Sequence, residues 1–200
     1  MTDTQKKPLW KNELVWLFLL TSGLFAILYS KFILGGYAYV FTDTGADTMQ
    51  INYAQYGLFS SLFRSGESGY VLQAGLGMDV SSYYPAYLIP YNLLILLAPQ
   101  RLLPWAVLAS AYLKMITISL VGYLFYRKLM QDGIGTMAAA LAWTFSGYVI
   151  LWGQHYGFCT CMALFTVFMY FLQCYLNGEQ RWKSAGLVPV SYTHLRAHET

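Results

Sequence analysis

The chain has 200 residues, of which 57% are hydrophobic and 10% are charged, with a formal net charge of +3. Ordinary soluble domains carry about 25% charged residues, so this composition argues against a soluble domain and indicates an integral membrane protein. The charge is too small to indicate a nucleic-acid partner. All three cysteines lie in one apolar run, which argues against a disulfide framework.

Four segments are apolar and long enough to cross a bilayer core of about 30 Å, which takes about 20 helical residues. No cleavage site follows the first, so we expect a retained anchor. A fifth apolar run, 86–98, is shorter and contains Pro90 and Asn92, so its length leaves open whether it spans. The predicted spans are 14–36, 104–126, 134–153 and 157–176.

The basic residues predict the orientation of these spans, since Lys and Arg near span ends accumulate on the cytoplasmic side. Three lysines precede the first span, which places residues 1–13 in the cytoplasm. If 86–98 does not span, Arg127 and Lys128 are also cytoplasmic; if it spans, they lie outside. We therefore predict a re-entrant or interfacial 86–98 and one large external loop, 37–103, in an all-α polytopic membrane protein.

Residues 48–63 of this loop have apolar side chains at three- and four-residue spacings. The spacing predicts an amphipathic helix that lies on the membrane surface. The apolar positions are Met49, Tyr53, Tyr56, Phe59 and Phe63.

The loop begins with VFTDTGADTMQINY (40–53), which contains two acids four residues apart. In a structural interpretation, Asp47 is an N-cap that forms a capping box with Gln50, and Asp43 closes a turn. In a functional interpretation, a carboxylate at the membrane surface is a general base toward a hydroxyl or a ligand for a divalent cation. The spacing is compatible with both roles.

The segment WGQHYG (152–157) joins the last two spans on the predicted outer side. Trp and Tyr at span ends commonly anchor a protein in the interface. Gln154 and His155 add donors and acceptors suited to sugar hydroxyls or a phosphate, and the rings of Trp152 and Tyr156 suit sugar rings. Anchoring and substrate binding therefore both remain open for these residues.

Lys114 lies near the middle of the second span, with Ser110 and Thr117 nearby on the helix. Placing an ionisable side chain at this depth in a membrane costs free energy, so such a residue usually has a function. A lipid phosphate, or a carboxylate outside this chain, would suit it as a partner.

The last residues, 187–200, depart from this pattern. SYTHLRAHET resembles a translated sequencing adapter, so we expect a non-native tail, with a natural polar tail as the alternative. We therefore assign no metal site to His194 and His198. Residues 14–186 then form the N-terminal part of a larger multi-spanning domain.

Several stretches in this order resemble YfhO-like bacterial membrane proteins. They are FTDTGADT, QAGLGMD, LIPYNLLILLAP, YLKMITISLVGYLFY and AWTFSGYVILWGQHYGF, of which FSGY followed by WGQHY is the most specific. The resemblance covers about residues 10–180. Many relatives have a proline where this chain has Asn52–Tyr53–Ala54, a small departure.

The resemblance implies a C-type glycosyltransferase of the plasma membrane, which transfers a sugar from a polyprenyl-phosphate carrier to a cell-envelope acceptor, in some relatives a teichoic-acid-type polymer. It implies that the key acid of the first external loop is Asp47, with Asp43 as second candidate. Substrate would be positioned by Gln50, Trp152, Gln154, His155, Tyr156 and Lys114. Whether a divalent metal bridges Asp47 and the phosphate is left open by the resemblance. The alternatives are a transporter of lipid-linked or polymeric substrates and a non-enzymatic envelope-assembly protein.

Overall fold

The computed structural model describes residues 12–41, 47–67, 69–72, 77–82, 89–130 and 132–179. These ranges are mostly helical, with one short antiparallel hairpin. The α-helices are α1 (Glu13–Leu28), α2 (Ser30–Leu34), α3 (Ala54–Ser65), α4 (Leu93–Leu97), α5 (Leu103–Leu129), α6 (Gly133–Thr144), α7 (Gly147–Trp152) and α8 (Tyr156–Leu176). The other elements are a π-helical turn at Thr48–Tyr53, 3₁₀ turns at Val80–Ser82, Pro90–Asn92 and Gln100–Leu102, and strands β1 (Tyr70–Val71) and β2 (Met78–Asp79).

Within the described ranges, three helical segments are long and apolar enough to cross a membrane: Gln100–Leu129, Gly133–Trp152 and Tyr156–Leu176. The predicted first span, 14–36, is not among these three segments. Its helix α1 has only 16 residues, and a turn at Tyr29 separates it from α2. Sixteen residues rise about 24 Å, which is less than the bilayer core. Most of α1 is nevertheless exposed and apolar, with Leu17, Thr21 and Phe25 facing the protein.

The predicted span 134–153 has the expected length and hydropathy, but its helix is interrupted. Helix α6 ends at Thr144, and Ser146 has extended backbone angles (φ −61°, ψ 155°) before α7 begins. Serine competes for backbone hydrogen bonds and Gly147 has low helix propensity, so a Ser–Gly pair is a common site of helix breaks. The helix is therefore interrupted inside this segment.

The described part of 86–98 forms the 3₁₀ turn Pro90–Asn92 and the five-residue helix α4. This helix is too short to cross a bilayer by itself. Its Ile95 and Leu96 are buried within the protein. The segment thus packs beneath the helix at 48–65, where the Ser60 hydroxyl donates to the Ala98 carbonyl at 2.6 Å.

Helix α5 lies at the centre of the fold and packs against α1, α4, α6 and α8. Polar side chains connect neighbouring helices within this apolar core. The hydroxyls of Thr21 on α1 and Ser119 on α5 are 2.7 Å apart. The indole of Trp143 on α6 donates to the Thr166 hydroxyl on α8 at 2.9 Å. Such interhelical hydrogen bonds help fix helix positions where lipid offers no polar partner.

Thr48–Tyr53 and α3 together form one continuous helix, which we call the loop helix. The helix predicted over 48–63 is therefore confirmed, but its predicted position on a membrane surface is not shown. Tyr56 and Phe59, from the predicted apolar face, are buried inside the protein, whereas Met49 and Phe63 are exposed. Apolar spacing indicates that one face of the helix is covered. Here Phe59 packs with residues of α4 and the hairpin, whereas Tyr56 packs in the main core and stacks on Tyr156.

Candidate functional site

The 152–157 segment is held by side chains from three other parts of the chain. Each donates a hydrogen bond to a backbone carbonyl of the segment. The Tyr39 hydroxyl donates to Gly153 at 3.3 Å, and the Thr48 hydroxyl donates to Gln154 at 3.2 Å. The Lys114 ammonium donates to Tyr156 at 3.2 Å. The segment after α2, the loop helix and α5 therefore meet at this one turn.

Asp47 is adjacent to this turn through its neighbour Thr48, whose side chain is fully buried. The prediction that Asp47 is an N-cap is wrong, because its backbone is helical (φ −57°, ψ −39°) and its carboxylate makes no capping hydrogen bond. N-cap residues usually have extended angles, which bring the side chain over the first N–H groups. The predicted capping box with Gln50 is wrong for the same reason. Gln50 is exposed, and Asp43 lies outside the described residues.

Tyr156 forms the buried base of the site. Its side chain is 3% exposed, and its hydroxyl donates to the Tyr39 carbonyl. Its ring stacks on Tyr56, with centroids 5.4 Å apart and planes 18° apart. Tyr156 thus joins α8 to the loop helix and to the segment after α2, instead of facing outward toward a substrate.

An exposed group of aromatic rings lies beside this base. Trp152 and Phe158 are 47% and 42% exposed, and His155 between them is half-buried. The His155 ring lies 5.8 Å from both the Trp152 and the Phe158 ring, edge-on to the latter. Gln154 is also half-buried. These residues offer ring faces and polar groups on one surface next to the start of the loop helix.

Lys114 lies beneath the turn and not on the exposed surface. Its side chain is 2% exposed and lines a small cavity with Ser110 and Tyr156. The ammonium of Lys114 donates to the carbonyl of Tyr156, a partner within the chain that the sequence did not suggest. The contact between Lys114 and a substrate stays a prediction.

Sequence reasoning missed three residues that shape the site: Tyr39, Thr48 and Phe158. Burial raises the pKa of the Tyr39 phenol strongly, with the neighbouring Tyr29 raising it further, so Tyr39 remains a hydrogen-bond donor at neutral pH. Thr48 and Phe158 are the last residues of the FTDTGADT and AWTFSGYVILWGQHYGF stretches, so testing every residue of these stretches could have found them.

The described residues contain no group of three or more His, Cys, Asp or Glu side chains that could hold a metal. A metal at Asp47 would thus need ligands from the rest of the chain or from a substrate. The site combines the Asp47 carboxylate, polar groups and exposed rings around the buried Tyr156. Comparisons with models of protein families, with curated proteins and with solved structures found no match.

Proposed function

We propose that the chain is the N-terminal part of an integral membrane glycosyltransferase of the bacterial plasma membrane. It would move a sugar from a polyprenyl-phosphate carrier to a cell-envelope acceptor on the outer side. The resemblance to YfhO-like proteins suggests this reaction. The observation that supports it best is the hydrogen bond from Thr48 to the Gln154 carbonyl, because it joins the acidic segment to the WGQHYG segment.

The proposal includes four spans with a cytoplasmic N-terminus. Helices α1 and α2 together cover 13–34, and 22 residues rise about 33 Å, enough for a first span despite the turn at Tyr29. The external loop 37–103 would then carry Asp47. Arg127 and Lys128 lie in the last turn of α5. In the proposed orientation they would be cytoplasmic, in agreement with the positive-inside rule.

In the proposed mechanism, Asp47 is the general base. Its carboxylate accepts the proton of an acceptor hydroxyl while that oxygen forms a bond to the anomeric carbon. The bond from the anomeric carbon to the phosphate oxygen breaks, and polyprenyl phosphate leaves with the electron pair. Trp152 would stack on a sugar ring, while Gln50, Gln154 and His155 would bond hydroxyls or phosphate oxygens. Tyr156 and Lys114 would hold these groups in place from below.

A transfer assay tests this function and separates it from the alternatives. Full-length protein in sealed lipid vesicles is given a polyprenyl-phosphate donor with a labelled sugar and an extract of envelope acceptors. A transferase releases polyprenyl phosphate and moves the label to an acceptor. A transporter changes the leaflet or compartment of the intact donor without cleaving it. Intact donor that neither moves nor reacts would favour the non-enzymatic alternative.

Cysteine labelling tests the proposed orientation. Gly157 is exposed and has open space around its Cβ position, so a Gly157→Cys side chain fits. Asn177, also exposed, lies at the other end of α8, about 30 Å away. In a chain whose three native cysteines are replaced by alanine, we expect a membrane-impermeant maleimide applied outside cells to label Gly157→Cys. The control Asn177→Cys should react after the cells are opened. The opposite pattern would contradict the shared outer face.

A further inference from the structure

The ammonium of Lys114 is buried with few partners. It donates to the Tyr156 carbonyl at 3.2 Å, its one hydrogen bond within the described part of the chain. An ammonium carries three N–H donors, and burying donors without acceptors is unfavourable. A side chain that is 2% exposed therefore calls for a further acceptor close to its nitrogen.

Ser110 supplies a second buried group with the same need. It lies one helical turn before Lys114 on α5, so the two side chains share a face of the helix. Its hydroxyl oxygen is buried and has no hydrogen-bond partner among the described residues. Buried hydroxyls are nearly always bonded to protein or to ordered water.

Both residues line one cavity, together with Tyr29, Tyr39 and Cys159. About 10 Å³ of it is open to the centre of a water-sized sphere. That is roughly the space that one water molecule needs, and it is too small for a phosphate group. Much of the lining is apolar, including Val107 and Met115, and entirely apolar cavities remain dry. A buried water needs two or more polar partners, which the Lys114 ammonium and the Ser110 hydroxyl can supply here.

We propose that this cavity is a binding site for a single internal water, held between the Lys114 ammonium and the Ser110 hydroxyl. The water accepts from the ammonium and hydrogen-bonds the hydroxyl. Because the ammonium also donates to the Tyr156 carbonyl, the water fixes Lys114 as a positioning residue that ties α5 to the start of α8. The site rests on buried groups and does not require the proposed sugar transfer.

The sign of the stability change in Ser110→Ala tests the proposal. Removing a hydroxyl that has no partner leaves the midpoint of thermal unfolding unchanged or raises it, because a buried polar group is lost. Removing a hydroxyl that binds a water lowers the midpoint, by about 2–4 °C if one hydrogen bond's worth of stability is lost. We expect the fall, measured on the 200-residue chain in lipid nanodiscs. Ser146→Ala is the matched control, because the Ser146 hydroxyl is also buried and has no partner in the described ranges, but it does not line the cavity.

Two further measurements complete the test. In a Lys114→Met background the water loses its ammonium partner, so we expect Ser110→Ala to have little further effect. A density map of the wild-type chain that resolves ordered water should show one peak within hydrogen-bond distance of both side chains, and this map decides the matter if Lys114→Met does not fold. An unchanged or higher midpoint in Ser110→Ala, a missing peak, or density the size of a phosphate would overturn the proposal.

Discussion

Replacing Asp47 with asparagine should lower the rate of sugar transfer by about 10²–10⁴-fold, the usual contribution of a general base. Asparagine has nearly the same shape, but its amide cannot take a proton from the acceptor hydroxyl. The Asp47 carboxylate makes no capping hydrogen bond, so no helix cap is lost with it. The loss should therefore appear in kcat/KM, with expression and the unfolding midpoint close to wild type.

The matched control for this experiment is Asp79→Asn. Asp79 is an exposed acid of the same predicted external loop, and its carboxylate accepts hydrogen bonds from the backbone and hydroxyl of Ser81. It lies on the hairpin, whose buried residues belong to a different apolar cluster from Tyr156, so its replacement should leave transfer near wild type. Wild-type transfer by Asp47→Asn would remove Asp47 from the active site. An equal loss in both variants would point to a general charge effect of the loop.

The long apolar helices could be predicted from the sequence where they depend on length and hydropathy alone. Helices α5 and α8 follow the bounds of the predicted spans closely, because an uninterrupted apolar run has few alternatives to a helix in a membrane. The prediction for 14–36 was less accurate, because the helix is interrupted at Tyr29, where aromatic rings pack. Tyr29 is buried, stacks on Phe25 and contacts the ring of Tyr39 edge-on. Hydropathy does not register such contacts.

The sequence motifs contain two segments that meet in the structure, but local spacing did not predict the contacts between them. The motifs include Asp47 and the 152–157 segment, and the Thr48 hydrogen bond to the Gln154 carbonyl connects the two segments. That these residues form an active site stays a prediction. The N-cap prediction failed because it uses local spacing only. The backbone at Asp47 is helical, and the next residue, Thr48, is bonded to the carbonyl of Gln154, 106 residues further along the chain. Lys114 likewise finds its acceptor 42 residues away, on a different helix.

The loop helix shows a third limit of sequence reasoning. A stripe of apolar side chains indicates that one face of the helix is shielded from water. The pattern does not distinguish whether lipid or protein covers that face. Here Tyr56 and Phe59 pack into the protein, while exposed Met49 and Phe63 extend from the same helix. The position of the helix is thus fixed by the protein. In the proposed mechanism this support would hold the Asp47 carboxylate in place, since small displacements of a catalytic group are costly.

Tyr156→Ala should have the largest effect on stability, lowering the free energy of unfolding by about 3–5 kcal/mol, as is typical for deletion of a buried aromatic ring. The substitution removes the stack on Tyr56 and leaves the Tyr39 carbonyl without the Tyr156 hydroxyl. Tyr156→Phe keeps the ring and loses only that hydrogen bond, so we expect a smaller loss of about 1–3 kcal/mol. The difference between the two variants measures the contribution of the ring.

Denaturant titration of helical circular dichroism in detergent micelles measures these changes. The control is Tyr175→Ala, on the same helix but 59% exposed, for which a change within about 0.5 kcal/mol is expected. If Tyr156→Ala were as stable as this control, Tyr156 would not be the buried support of the 152–157 segment. A full loss in Tyr156→Phe would instead assign the support to the hydroxyl. Because Tyr156 also accepts from Lys114 through its backbone, which both substitutions retain, either result would leave the tie between α5 and α8 in place.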